Sequence, residues 1–176
     1  KNNMATEKPF IVSASPHIHS GVSIRRIMWL VVLALVPAGA WGIYAFGAHS
    51  AWVVLAAVVS AVATEAGLSR LCRRPVTVSD GSAVITGMLL AYSVPPQIPL
   101  WMICIGSAFA IAVGKYVFGG LGHNIFNPAL VGRAFLMAAW PTAMVTWTNP
   151  RWWPDAVSSA TPLAIVKSAS ELAGAH

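Results

Sequence analysis

The stretch IMWLVVLALVPAGAWGIYAF, residues 27–46, holds no charged side chain from one end to the other. As a helix rising about 1.5 Å per residue it would match the roughly 30 Å hydrocarbon core of a bilayer. Two further runs, 51–68 and 99–118, are nearly as free of charge and of similar length. Two shorter ones, 81–94 and 126–140, fall where a buried or re-entrant helix competes with a full span. Of the 176 residues, 57% are hydrophobic and only 9% charged, the wrong balance for a surface facing water on all sides. These features predict an all-α membrane protein, a multi-pass bundle of about five transmembrane helices.

The divisions follow from the same pattern. Residues 1–23 form a polar arm, 24–141 the transmembrane bundle, and 142–176 a segment beyond the last crossing. The first apolar run begins well inside the chain and leads directly into the second, so a cleaved signal peptide is not expected. The formal charge of +6 could suggest nucleic acid. The basic residues instead flank the spans, with Lys1, Lys8, Arg25 and Arg26 before the first and Arg70, Arg73 and Arg74 after the second. By the positive-inside rule both groups are cytoplasmic, which puts the N-terminus inside and everything after Pro141 outside.

Few residues carry chemistry. Cys72 and Cys104 stand alone, so neither an iron–sulfur or zinc cluster nor a disulfide framework can be read from them. His17 and His19 lack companion ligands and read as a surface pair. Charges inside or beside the spans are Glu65, Asp80, Lys115 and Arg133, each a functional candidate by default because a charge in hydrocarbon is expensive. For the first three, snorkelling or pairing at the membrane interface is the favoured reading, while Arg133 lies deeper. Gly106, Ala110 and Gly114 recur every four residues and predict close helix packing. Prolines at 37, 95, 96, 99, 128 and 141 interrupt or bound the spans, as lining a cavity would allow. Asn127-Pro128 reads as a helix start. Trp140, Trp147, Trp152 and Trp153 read as an interfacial aromatic belt.

Asp155 to Ala164, DAVSSATPLA, is a polar island before another apolar run. Thr161 followed by Pro162 is a sound helix start, and free N–H groups there would also suit a phosphate. The stretches SPHIHSG with RRIM, DGSAVITGMLLAYSVPPQIPLW, GKYVFGGLGHNIFNPALVGRAFLMAAWP and DAVSSATPL together resemble the RnfD family, the D-type subunits of the Rnf complex, the ion-translocating ferredoxin:NAD oxidoreductase. The homologous B subunit of the sodium-translocating NADH:quinone reductase shares part of these motifs.

The resemblance implies a ten-helix fold of two related halves, of which this chain resembles the first. It also implies FMN joined through its phosphate to Thr161 by a separate flavin transferase, within an attachment motif matched by Asp155, Ser158, Ala160 and Thr161. Ser159 stands where that motif has Gly. The implied activity is electron transfer between reduced ferredoxin and NAD, coupled to Na⁺ or H⁺ movement in the bacterial inner membrane. The remaining Rnf subunits, of A, B, C, E and G types, would be partners, with riboflavin as a second flavin of the assembly. No catalytic residue, metal ligand or nucleic-acid contact is expected in this chain, and Thr161 would lie on the periplasmic side. Two rival readings are the quinone-reductase subunit and a passive channel or transporter whose polar island is only a helix cap.

Overall fold

The computed structural model describes residues 23–73, 78–120, 122–148 and 150–151. Among them every regular element is a helix. The first, α1 (Ile24–Phe46), starts at Ser23, whose hydroxyl accepts from the Arg26 N–H at 3.3 Å. It ends at Gly47, with φ +94, a backbone region that side chains other than glycine rarely adopt. The Gly47 N–H closes the helix on the Ile43 carbonyl at 2.8 Å, and α2 (Ala48–Leu71) starts at the next residue. The guanidinium of Arg151 lies over this tight turn, and the Arg151 N–H donates to the Ala45 carbonyl at 3.0 Å.

These two helices are long and apolar enough to cross a membrane. They differ in surroundings. Within α1 only Gly39 and Ala45 are buried, leaving a broad apolar face of Trp, Leu and Val for lipid. On α2 the buried residues include Val53, Ala57, Ala61, Glu65 and Ser69, one every four, which form the stripe turned toward α3 (Ser82–Tyr92) and α4 (Leu100–Ile111). Only glycine permits this closeness: a Cβ on Gly87 of α3 would stand 2.7 Å from the Val58 Cα and 2.9 Å from the Ala57 carbonyl oxygen.

The run 99–118, expected as a full span, is shorter and less regular. Twelve residues of α4 pass into five of π-helix, Ala112–Tyr116. A π-turn inserts one extra residue per hydrogen-bonded turn and rotates the side chains that follow it. The next helix, α5 (Pro128–Ala139), begins as its sequence predicts: Asn127 Oδ1 accepts from the Ala129 N–H at 3.0 Å, and Pro128 takes the first helical position, where no N–H is needed. The row of small residues on α4 is its contact surface for α5. A Cβ on Gly106 would meet Leu136 Cδ1 at 2.6 Å, and one on Gly114 would meet the Pro128 Cα at 2.7 Å. Gly132 returns the contact against Ala110.

A five-residue helix, α6 (Pro141–Val145), closes the described bundle behind Trp140, whose ring stacks edge-on with Trp101 and Phe135. The core is centred on Leu90, Ile103 and Leu136, each fully buried. Successive helices run up and down, so the molecule has two ends. One gathers the starts of α1, α3 and α5 with the ends of α2 and the π-turn; there the Trp29 indole N–H donates to the Ser79 carbonyl at 3.3 Å. The other gathers the α1–α2 turn, the 93–99 loop and α6, where His49 Nε2 lies 3.2 Å from the Ile98 carbonyl oxygen.

Candidate functional site

Three of the four ionisable residues singled out in the spans meet at the first of these ends. Lys115 comes from the π-turn, Glu65 from the α2 stripe and Asp80 from the 3-10 turn Val78–Asp80 that leads into α3. Lys115 Nζ donates to Glu65 Oε1 at 2.6 Å, with side chains 3% and 0% exposed. Its ammonium donates equally to Ser82 Oγ at 2.6 Å. Ser82 passes the chain on, donating its hydroxyl to Asp80 Oδ1 at 2.6 Å, while the Ser82 N–H reaches the same oxygen at 2.8 Å.

The directions are fixed by chemistry, since an ammonium only donates and an ionised carboxylate only accepts. A continuous line results, from Glu65 through Lys115 and Ser82 to Asp80, of which only Asp80 is partly exposed. Of the two readings the sequence favoured for these side chains, snorkelling or pairing at the interface, Glu65 and Lys115 take pairing, but as an ion pair buried within the bundle and not at its interface. The physical reason is the four-residue stripe, which turns Glu65 toward α3 and α4, together with the π-turn, which turns Lys115 inward to meet it. Two buried charges lose their hydration, and a contact this short with further hydrogen bonds is what makes such burial sustainable.

Beside the line opens a cavity of about 270 Å³, walled by Lys115, Ser82, Asn124, Asn127, Met28 and Leu89 among others. Its wall combines the amides of Asn124 and Asn127, the Ser82 hydroxyl and the Lys115 ammonium with apolar side chains and Pro128. That combination suits a small planar ligand with carbonyl edges, of which a flavin ring is one, so the residues present fit a non-covalent flavin. Between Lys115 and Asn124 the chain passes through Gly119, Gly120 and Gly122, all with positive φ. Asn124 is held by its amide N–H on the Phe126 carbonyl at 3.3 Å.

Other sequence candidates are distributed differently. Arg133 lies half-buried on α5 and makes no salt bridge with any described residue. His123 sits in the glycine-rich turn, its N–H on the Gly120 carbonyl at 3.1 Å. Trp147 lines a second cavity, of about 210 Å³, at the opposite end, with Gly39, Gly42 and Tyr92. Asp155, Ser158, Ser159, Ala160 and Thr161 lie outside the described residues, as do His17, His19, Trp152 and Trp153. Ser82, the hydroxyl that joins the Asp80 carboxylate to the Lys115 ammonium, was not singled out in the sequence. The signal for the pair was nevertheless present: Glu65 continues the small-residue stripe of α2.

An all-helical bundle with a buried charge line, glycine-packed helices and two membrane-length spans defines a polytopic membrane protein. The model of the NQR2, RnfD, RnfE family matches residues 11–175, and the chain belongs to that family. It is 48% identical over 159 residues to the D subunit of the proton-translocating ferredoxin:NAD(+) oxidoreductase complex of Clostridium ljungdahlii, a match covering 90% of this chain and 48% of that relative. It is 48% identical over 159 residues to the D subunit of the Na(+)-translocating ferredoxin:NAD(+) oxidoreductase complex of Acetobacterium woodii, covering 89% of this chain and 49% of the relative. Identity to the D subunit of the ion-translocating oxidoreductase complex of Cronobacter sakazakii is 44% over 144 residues, 81% of this chain and 41% of the relative. The chain spans about half the length of the curated relatives it matches.

Proposed function

We propose that the chain is part of a membrane subunit of a redox-driven ion pump, carrying electrons between reduced ferredoxin and NAD in company with other Rnf subunits. The observation that carries this reading is the 48% identity, over nine-tenths of the chain, to two proteins named for that reaction. The quinone-reductase reading is the weaker one, because these relatives are named as D subunits of ferredoxin:NAD or ion-translocating oxidoreductase complexes.

FMN is held covalently on Thr161, within the motif of Asp155, Ser158 and Ala160, by the action of a flavin transferase. With Cys72 exposed at the end of α2 and Cys104 inside α4, the chain has no thiolate cluster to carry electrons, and an organic cofactor supplies one-electron chemistry when bound. The protein's part is to position that cofactor and shape the charge around it. Riboflavin, the second flavin of the assembly, would be held in the cavity beside Lys115, whose wall includes Asn124 and Asn127. In this reading the end carrying the cavity faces the cytoplasm and the chain beyond Pro141 the periplasm, supported by the grouping of Arg25, Arg26, Arg70 and Arg73 at the cavity end.

In-gel flavin fluorescence after denaturation tests the attachment. The chain coexpressed with the transferase should fluoresce and Thr161→Ala should not. Fluorescence retained in Thr161→Ala would remove that residue as the site, and none in either chain would remove covalent flavin altogether.

A further inference from the structure

We propose that the cavity of about 210 Å³ beside α1 is a phospholipid site, holding one acyl chain between α1, α2 and α3 with the lipid's phosphate on Arg151. The proposal needs only a helix bundle in a membrane and stands apart from the electron-transfer reading.

Small residues make the space. Ala38, Gly39 and Gly42 share one face of α1, which continues to Phe46, while Val53 and Val54 of α2 and Ala91 of α3 supply the facing wall. A Cβ added to Gly42 would meet nothing within 4 Å, so the cavity is open where a side chain would stand. One added to Gly39 would collide with the Tyr92 hydroxyl, which bounds the cavity on the α3 side.

Length and chemistry select the occupant. From Phe46 down to Ala38 the cavity follows α1 for roughly 12 Å at 1.5 Å per residue. One leaflet's share of the roughly 30 Å hydrocarbon core is about 15 Å. A slot of that depth, starting at a helix end, fits a chain lying along the bilayer normal. Its surroundings agree, since α1 is apolar and exposed over most of its length. The two hydroxyls in the wall are engaged: Ser50 donates to the Gly47 carbonyl at 2.6 Å and Tyr92 to the Leu35 carbonyl at 3.1 Å. A hydroxyl has one proton to donate, so neither has one for the carbonyl of a quinone or a flavin ring. An acyl chain requires none.

Charge marks the mouth. Phe46 and Ser50, both wall residues, flank the Gly47 turn, and Arg151 packs on that turn: a Cβ on Gly47 would stand 2.6 Å from Arg151 Nη2. Arg151 is placed there by its own backbone, whose N–H donates to the Ala45 carbonyl at 3.0 Å, and the residue is exposed. A guanidinium offers phosphate oxygens a planar fork of donors. Trp147, also in the wall, is of the residue type that gathers at headgroup level. A cation at the membrane surface above an apolar slot repeats the order of a phospholipid's own parts.

The test uses the whole purified complex with its full-length chains, in detergent micelles doped with a probe lipid. The probe is phosphatidylglycerol carrying a photoreactive diazirine in one acyl chain, and diacylglycerol with the same chain, which lacks the phosphate, is run beside it. After irradiation the labelled peptides are identified by mass spectrometry. In the native complex, labels should fall on residues 38–46 and 91–96, severalfold more with phosphatidylglycerol than with diacylglycerol. Gly42→Phe, whose ring enters the open space, should remove most of this labelling and leave that of the exposed face at 27–33 unchanged. Arg151→Gln should bring labelling by phosphatidylglycerol down to the level of diacylglycerol. Labelling at 38–46 and 91–96 that Gly42→Phe leaves intact overturns the site, as does equal labelling by the two lipids in the native complex. No labelling of these segments, with a quinone or another helix found there instead, overturns it as well. If Gly42→Phe fails to assemble, the two lipids compared on the native complex and on Arg151→Gln decide alone.

Discussion

Lys115 ties α2 and the start of α3 to the π-turn through its contacts with Glu65 and Ser82. Replacing it by Met would leave the Glu65 carboxylate in its buried position without the ammonium 2.6 Å away. Breaking a buried pair from one side typically costs about 3–5 kcal/mol, whereas replacing both partners by apolar groups is often close to neutral. Lys115→Met should therefore lower the thermal midpoint of the purified protein in detergent sharply, and Lys115→Met with Glu65→Leu should recover most of the loss. Equal loss in the single and double variants would mean that shape, not charge, holds this corner. Asn127 offers a second contrast. Its Oδ1 caps α5, and its amide belongs to the cavity wall. Asn127→Asp keeps the cap oxygen and loses the amide donor, while Asn127→Ala loses both, with about 0.5–2 kcal/mol for the cap alone. The Asp variant should keep native stability and, under the proposed riboflavin reading, lose the non-covalent flavin extracted from the purified protein.

At the scale of elements, close approach through glycine decides how the helices pack. A methyl group on Gly87 would have to enter the backbone of α2 at 2.7 Å, and backbone cannot swing aside as a flexible side chain can. Gly42 on α1 has nothing within 4 Å of the same added atom. Gly87→Ala should destabilise by about 1–3 kcal/mol, as overpacking does. Gly42→Ala should be neutral or slightly favourable, since alanine is the better helix former. Unfolding in denaturing detergent followed by circular dichroism distinguishes them, and similar midpoints for the two would show that α2 and α3 are not in contact this closely. The positions of α1, α2 and α5 were legible because long charge-free runs and the Asn127-Pro128 start are local signals. The Gly106–Ala110–Gly114 row was legible for the same reason, as a repeat on one helix face. The π-turn was not, because it arises where Gly114 packs against Pro128, a contact between residues distant in sequence. Lys115 was consequently found as a charge in a span, but its partner and its burial depended on a turn that no local pattern announces.

For the whole molecule, the decisive question is which end faces which compartment. The bundle separates Cys72, exposed just after α2, from Thr142, exposed at the start of α6. The two lie at opposite ends because α3, α4 and α5 intervene, an odd number of passes. Basic residues Arg25, Arg26, Arg70 and Arg73 gather at the Cys72 end and none of the described ones but Arg151 at the other. Positive charges are retained on the cytoplasmic side during insertion, which is the basis for expecting the Cys72 end to face the cytoplasm. Cys72 should then react with a membrane-impermeant maleimide only when inverted vesicles expose the cytoplasmic face. In a Cys72→Ser background, Thr142→Cys should react only from the outside of intact cells stripped of their outer layers. Cys104, inside α4, should react from neither side without denaturation. The result bears on more than orientation. The segment from Pro141 onward leads to Thr161, and the charge line from Asp80 to Glu65 lies at the Cys72 end, so labelling of both cysteines from one side would overturn the proposal that the Thr161 segment and the charge line face opposite compartments.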